Sequence, residues 1–244
     1  MRKFVYGRVA LEQIYTIPVN EAFDLVGEKP ECGCPFCVLF RRLQEDELDI
    51  ILGASMMEPD IRIKTNEQGF CLTHYQMMLK RKRMLGMGLI LESHLEEVKK
   101  RLSPKMLLGN KMTAAIGALS ELEESCYVCT RRDKNLNAMI ATAVYLFEAD
   151  PDFREKLKRT PYFCLPHYRM MIDYAQKKMP KRILPDFYST VHEIQERYID
   201  TLGNDVSWFC KKFDYRYDDE PWYNSKDSVQ RTIKFLSGAP DENN

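Results

Sequence analysis

Charge of one sign is missing from this 244-residue sequence: Lys and Arg total 36, and so do Asp and Glu. A balanced chain lacks the electrostatic footprint of a nucleic-acid or membrane-surface binder, leaving only local patches for such roles. Glycine is scarce, at 11 residues, below the roughly 7% of an average protein. Long apolar runs are missing as well. The longest clean one, Met84 to Leu91, holds two glycines and falls far short of the ~18 residues of a membrane span. At the N-terminus Arg2, Lys3 and Arg8 interrupt any apolar core of a secretory leader. These absences lead to the expectation of a cytoplasmic chain with no membrane association. Signatures of common enzymes are absent too. There is no phosphate loop, nucleophile elbow or His-Glu-x-x-His, and Gly86-x-Gly88 lacks the third glycine of a dinucleotide loop. Strand signals are limited to Phe4-Val5-Tyr6 or Ile14-Tyr15-Thr16-Ile17.

What is present points to helices and thiols. Hydrophobic residues make up 45% and charged residues 30%, ordinary values for a globular chain of one or two domains. There are 13 methionines and eight cysteines. Cysteines in a reducing compartment read as metal ligands or working thiols rather than as a disulfide framework.

An internal repeat organises them. Cys34-Pro35-Phe36-Cys37 recurs as Cys126-Tyr127-Val128-Cys129, offset by 92. Phe70-Cys71-Leu72-Thr73-His74-Tyr75 recurs as Phe163-Cys164-Leu165-Pro166-His167-Tyr168, offset by 93. Glu58-Pro59-Asp60-Ile61-Arg62 is echoed by Asp150-Pro151-Asp152-Phe153-Arg154. Each repeat reads as helix, connector, helix. After Cys129, the residues Leu136, Met139, Ile140, Ala143, Val144 and Phe147 fall in steps of three and four on one helical face. The copy after Cys37 is rougher, with Phe40, Leu43, Ile51 and Leu52 beside a charged Glu45-Asp46-Glu47 face. One helix is expected from about Thr73 to Leu102, carrying Met84, Met87, Leu91, Leu95, Val98 and Leu102. Pro180 and Pro185 interrupt the second copy. A new helix then runs from about Asp186 with Phe187, Val191, Ile194, Tyr198, Leu202, Val206 and Phe209 on one stripe, broken or bent at Gly203-Asn204. Residues 105–125 hold a linker and a helix begun by Thr113. The last helix takes Ser225 as N-cap, buries Val229, Ile233 and Leu236, and stops at Gly238, with a frayed tail beyond. The expectation is a mostly α protein of two zinc-knuckle helical-hairpin repeats packed together. Its divisions are an N-terminal arm (1–30), a first repeat (31–104), a linker helix with the second repeat (105–200) and a C-terminal extension (201–244).

Each repeat supplies Cys-x2-Cys, a gap of 33 or 34 residues, and Cys-x2-His. Two thiolates in a tight turn converge on one ion, and a second pair completes a tetrahedron. Three thiolates and an imidazole suit Zn²⁺, and four protein ligands close the sphere, as in a structural site. Two Zn²⁺ sites are therefore expected. The simplest assignment gives Cys34, Cys37, Cys71 and His74 to one ion and Cys126, Cys129, Cys164 and His167 to the other. The repeats could instead exchange halves, and iron could replace zinc in such thiolate sets. Pro35 and Pro166 fall inside the pairs, as befits turns that lead into helices.

The remaining signals read more plainly. Cys32 is a spare thiol, Cys210 a core cysteine, and His94 and His192 core or surface histidines without ligand partners. Lys80-Arg81-Lys82-Arg83 is a solvated face. In Lys211-Lys212-Phe213-Asp214-Tyr215-Arg216-Tyr217 aromatics alternate with bases, but Asp218-Asp219-Glu220 would repel phosphate. Packing of Tyr215, Tyr217 and Trp222 back onto the helices is expected instead.

The duplicated Cys-Pro-x-Cys and Phe-Cys-x2-His-Tyr motifs resemble those of an uncharacterised bacterial domain family of unknown function. So do the Lys212-Phe213-Asp214-Tyr215-Arg216-Tyr217 stretch, Glu220-Pro221-Trp222-Tyr223-Asn224-Ser225-Lys226-Asp227, and Ile17-Pro18-Val19-Asn20-Glu21-Ala22-Phe23. The resemblance covers most of the chain and implies an intact, non-secreted cytosolic protein. It implies no mechanism and no residue roles. The leading reading is a non-enzymatic, zinc-stabilised binding or scaffolding protein with a protein partner. Its rivals are a thiol switch with oxidisable knuckles and a nucleic-acid or transcription-associated module. The oligomeric state is not legible from the sequence.

Overall fold

The computed structural model describes residues 5–102 and 110–238, with side chains from residue 14 onward except those of 54 and 56. Among the described residues the chain forms helices and short 3-10 turns and no strand. The helices are α1 (Val5–Glu28), α2 (Pro35–Leu52), α3 (Pro59–Gln68), α4 (Leu72–Lys80), α5 (Met84–Leu102), α6 (Lys111–Glu124), α7 (Tyr127–Ala149), α8 (Pro151–Lys158), α9 (Leu165–Lys178), α10 (Leu184–Lys211) and α11 (Ser228–Ser237). None of them is long and apolar enough to cross a membrane. The fold is mostly α. Two compact units divide it: residues up to Arg41 together with those from Leu136 on, and Arg42–Asn135. They cut across the sequence repeats rather than following them.

The first unit is built on aromatic packing. α1 buries Val19, Ala22, Phe23 and Val26, one face in steps of three and four. The Phe23 ring lies 4.8 Å from Phe153, 5.7 Å from Phe36 and 6.2 Å from Phe163. Lys156 Nζ donates to Asp24 at 2.6 Å and to Asn20 at 2.9 Å, fastening α8 to α1. α8 starts where the Asp150 side chain accepts from the N–H groups of Asp152 and Phe153, a true N-cap. All six α7 positions named from the sequence are buried. So are Phe187, Val191, Ile194 and Leu202 of α10.

The second unit packs α3 against α5 and α5 against α6 and α4. Its apolar cluster joins Leu48, Ile51 and Leu52 to Phe70, Met78, Met87, Ile90, Tyr127 and Val128. Asn110 caps α6 by accepting from the N–H groups of Met112 and Thr113. The helix therefore starts at Lys111, before Thr113, and residues 105–109 of the expected linker lie outside the described residues.

Several expectations are corrected. The N-terminal strand is helix from Val5 through Ile17, and Phe4 lies outside the described residues. Tertiary burial of the Val19–Val26 face outweighs the β-branched run there. The helix expected across 73–102 is two, α4 and α5, because Lys82 adopts a φ of 56° between them. α10 passes through Gly203-Asn204 without a break. α11 is preceded by Asp227 rather than Ser225 as N-cap, and it buries Ser228 and Phe235 while Val229, Ile233 and Leu236 face outward. Phe235 wins the core side because it meets Tyr162 at 5.9 Å and Tyr198 at 5.4 Å. Cys210 is exposed rather than core. Tyr217 and Trp222 do pack back, onto Trp208 and Phe209, while Tyr215 stays 82% exposed. The tail after Gly238 lies outside the described residues.

Candidate metal centres

All eight expected ligands gather into two clusters, but with the halves exchanged. One cluster is Cys34, Cys37, Cys164 and His167; the other is Cys71, His74, Cys126 and Cys129. Each takes the Cys-x2-Cys of one repeat and the Cys-x2-His of the other, so the within-repeat assignment is overturned. The grouping of the helices supplies the reason: each cluster falls wholly within one compact unit, the first within residues up to Arg41 and from Leu136 on, the second within Arg42–Asn135. Within the second unit His74 Nε2 also lies 3.1 Å from Gln44 Oε1 on α2.

Every half-site is the start of a helix. Cys71 and Cys164 are the N-caps of α4 and α9, and their carbonyls accept from the N–H groups of Tyr75 at 3.0 Å and Tyr168 at 2.8 Å. The carbonyls of Cys34 and Cys126 likewise accept the first bonds of α2 and α7, from Val38 at 3.2 Å and Thr130 at 3.0 Å. A cap residue and the third helical residue lie on the same turn, so a spacing of three aims both side chains at one point. Two helix N-termini therefore meet at each cluster. Their dipoles favour the net negative charge of three thiolates around a dication.

The donors fit a tetrahedron, whose edges for arms of about 2.3 Å to sulfur and 2.0 Å to nitrogen measure about 3.8 Å between sulfurs and about 3.5 Å from sulfur to nitrogen. In the first cluster His167 Nδ1 stands 3.1 Å from Cys164 Sγ, 3.5 Å from Cys37 Sγ and 3.7 Å from Cys34 Sγ. The Cys37 and Cys164 sulfurs are 3.5 Å apart. In the second, His74 Nδ1 stands 3.1 Å from Cys71 Sγ, 3.3 Å from Cys126 Sγ and 3.5 Å from Cys129 Sγ. The Cys71 and Cys129 sulfurs are 3.9 Å apart. The arrangement suits a Cys3His ion with no open position.

The supports differ. In the first cluster all four ligands are buried, and His167 meets Phe36 edge-on at 6.0 Å and Phe40 at 6.2 Å. The Gln195 amide clips the backbone before Cys164, accepting from the Phe163 N–H at 2.9 Å and donating to the Phe163 carbonyl at 2.8 Å. Gly33 leads into the knuckle at φ +80°, and a Cβ there would stand 2.6 Å from the Tyr162 hydroxyl. In the second cluster Cys71 and Cys129 are half-buried. The Ser125 hydroxyl donates to the Gln68 carbonyl at 2.6 Å, and the Tyr127 N–H donates to the Gly69 carbonyl at 3.0 Å. These two bonds lay the Cys71 and Cys126 segments side by side. Gly69 has φ +58°, and a Cβ there would press on the His94 ring at 2.9 Å.

The thiols are mutually coupled. Burial pushes Cys34 up, while hydrogen bonding with Cys164 and Cys34 holds Cys37 far below the ordinary thiol range. For Cys164 the contact with Cys34 lowers, but the contact with Cys37 and burial outweigh it and raise the thiol to about 12. Burial, reinforced by Cys126, raises Cys129 to about 12 against the pull of Arg132. An arriving cation must displace protons from the raised thiols.

The other candidates take no part. His94 Nδ1 lies 2.9 Å from the Asn66 carbonyl, and His192 stacks on Tyr188 and reaches Glu196 at 3.4 Å. Cys32 and Cys210 join neither cluster. The sequence reading missed Gln44, Gln195 and Arg132. Their one legible trace is that Gln44, like Leu48 and Ile51, continues the buried face of α2.

Neither a curated protein nor a solved structure matches the chain. A family profile does, over residues 10–243, a span that takes in both clusters and the C-terminal aromatic stretch. On that match the chain belongs to the family of unknown function DUF6062.

Proposed function

We propose that each cluster holds one Zn²⁺ as a closed structural centre, in a non-enzymatic helical protein that binds or scaffolds a protein partner in the reducing cytoplasm. One observation carries the reading: in both clusters four donors converge at tetrahedral edge lengths from two helix starts. Four protein ligands leave no position for a substrate or an activated water. The eight cysteines are free thiols, as a reducing compartment requires.

The surface favours a protein over a nucleic acid. Of the basic run, Arg81 pairs with Glu45 and with Asp49 at 3.0 Å, and Arg83 reaches Asp49 at 4.0 Å. That local neutralisation weakens a phosphate-binding role. Large apolar side chains remain outward, among them Leu85 at 77% and Phe213 at 75% exposure.

The test is metal content by elemental mass spectrometry, on the full chain purified without an affinity metal. About two zinc per chain is expected. A chain with neither zinc nor iron would overturn the reading, and iron in place of zinc would replace the ion but keep the sites.

A further inference from the structure

We propose that the centre of Cys71, His74, Cys126 and Cys129 is a peroxide-modification site, at which Cys71 and Cys129 close a disulfide and the ion is released while the other centre keeps its own. The proposal rests on the zinc reading above and deepens it by assigning a regulation to one of the two centres.

Access separates the two. Cys34, Cys37 and Cys164 are at most 4% exposed, so an oxidant in water meets them only after the first unit opens. Cys71 and Cys129 are half-buried, whereas Cys126 and His74 beside them are enclosed. The less buried cysteines of this centre are thus the two whose sulfurs lie 3.9 Å apart. A disulfide needs about 2.05 Å between sulfurs, a closure of about 2 Å shared by two side chains. Cys126 is the less available partner. It is buried, and its sulfur accepts from the Cys129 N–H at 3.5 Å.

The chemistry balances with hydrogen peroxide as the named oxidant. One thiolate attacks a peroxide oxygen; an S–O bond forms, the O–O bond breaks, and hydroxide leaves. The other thiolate attacks the resulting sulfenic sulfur; the S–S bond forms, the S–O bond breaks, and a second hydroxide leaves. Two sulfurs are oxidised by one electron each, and one peroxide is reduced by two. His74 and Cys126 alone cannot retain the ion.

The linkage makes this a switch rather than damage. Cys71 opens α4 and Cys129 lies in the first turn of α7, so a bond between them replaces the cross-link the metal provided. The Ser125–Gln68 and Tyr127–Gly69 hydrogen bonds keep the segments in register, and His74 keeps its Gln44 contact. Reduction would restore the donor set in place.

The experiment uses the full chain with Cys32→Ser and Cys210→Ser, which removes the two thiols outside the clusters. Zinc is counted first, then hydrogen peroxide is added at one equivalent per chain, with released zinc read by a chromogenic chelator and disulfides mapped after alkylation. The expected result is two zinc at the start, one released, and a Cys71–Cys129 bond that reductant and zinc reverse. Release of both ions or of neither, or a Cys126–Cys129 bond, overturns the proposal while the zinc reading stands. No zinc at the start overturns the zinc reading itself, and this proposal with it.

Discussion

Around Cys34, Cys37, Cys164 and His167 the neighbours are aromatic: Phe36 and Phe40 flank the imidazole, and Tyr162 stands over the glycine that leads in. Around Cys71, His74, Cys126 and Cys129 they are mixed: Cys126 sits in the apolar cluster with Phe70, Tyr127 and Val128, Cys71 and Cys129 are half-buried against it, and Gln44 and Arg132 add polar contacts. The ligand types, spacing and helix starts are the same in both. The difference teaches that ligand spacing decides whether a site exists, while its surroundings decide what the ion does there. An enclosed ion acts as part of the core; a half-exposed one can exchange and react.

The largest expected effect breaks that comparison directly. Cys164→Ser should remove one zinc and destabilise the chain by on the order of 4 kcal/mol, and Cys71→Ser should remove the other at a cost on the order of 2 kcal/mol. Loop length is the smaller part of the cause. The paired half-sites lie 127–133 residues apart in one centre and 52–58 in the other, a ratio worth only about 0.7 kcal/mol of closure entropy. Burial makes the rest of the gap. Denaturant unfolding in zinc-saturated buffer measures it, and equal losses would show that enclosure adds nothing to the ion's contribution.

Acidity should sharpen the contrast. In the enclosed centre Cys34 and Cys164 are raised thiols and Cys37 is held low, so zinc must displace about two protons per ion. Raised thiols hold their protons at neutral pH, so binding is favoured as pH rises and lost as it falls. The apparent affinity should drop by about a hundredfold per pH unit. Zinc competition between pH 7 and 8, in a chain carrying Cys71→Ser and Cys129→Ser, reads the slope. A pH-independent affinity would mean that the thiols are already ionised.

Chelator challenge gives a smaller separation. The half-exposed centre should surrender its zinc through local opening, and the enclosed one through opening of the aromatic core, with rates differing by at least about tenfold. Two phases of equal amplitude in a stopped-flow trace are expected. A single phase would mean that the two ions leave by one shared opening.

Much of this was legible in the sequence. The eight ligands follow from two spacings repeated at offsets of 92 and 93, and the α7 stripe from Leu136 to Phe147 follows from its period. The pairing was not legible, because a tetrahedron built from Cys-x2-Cys and Cys-x2-His is chemically the same whichever repeat supplies each half. Only the grouping of the helices into two compact units, each enclosing one cluster, separates the alternatives. α11 shows a second limit. Val229, Ile233 and Leu236 form a clean stripe, yet Phe235 takes the core because Tyr162 and Tyr198 already stand there. Periodicity reports that a helix has an apolar face and is silent on which face finds a partner. Lys82 at φ 56° is the third case: nothing in Lys80-Arg81-Lys82-Arg83 marks a left-handed residue.

The smallest expected effect tests a polar contact to the imidazole at the second centre. Gln44 is 2% exposed. Its Oε1 accepts from His74 Nε2 at 3.1 Å and from Arg132 Nη1 at 3.0 Å. A proton held on Nε2 leaves the Nδ1 lone pair for the ion, so Gln44 selects the binding tautomer and fixes the ring plane. Gln44→Ala removes that acceptor and should weaken zinc at this centre by about tenfold, leaving the enclosed centre unchanged. Gln44→Glu keeps an acceptor for both donors and should hold affinity near the parent value. Competition titration against a calibrated chelator resolves the two sites, and equal affinity in the parent and Gln44→Ala would show that the three sulfurs alone orient the imidazole.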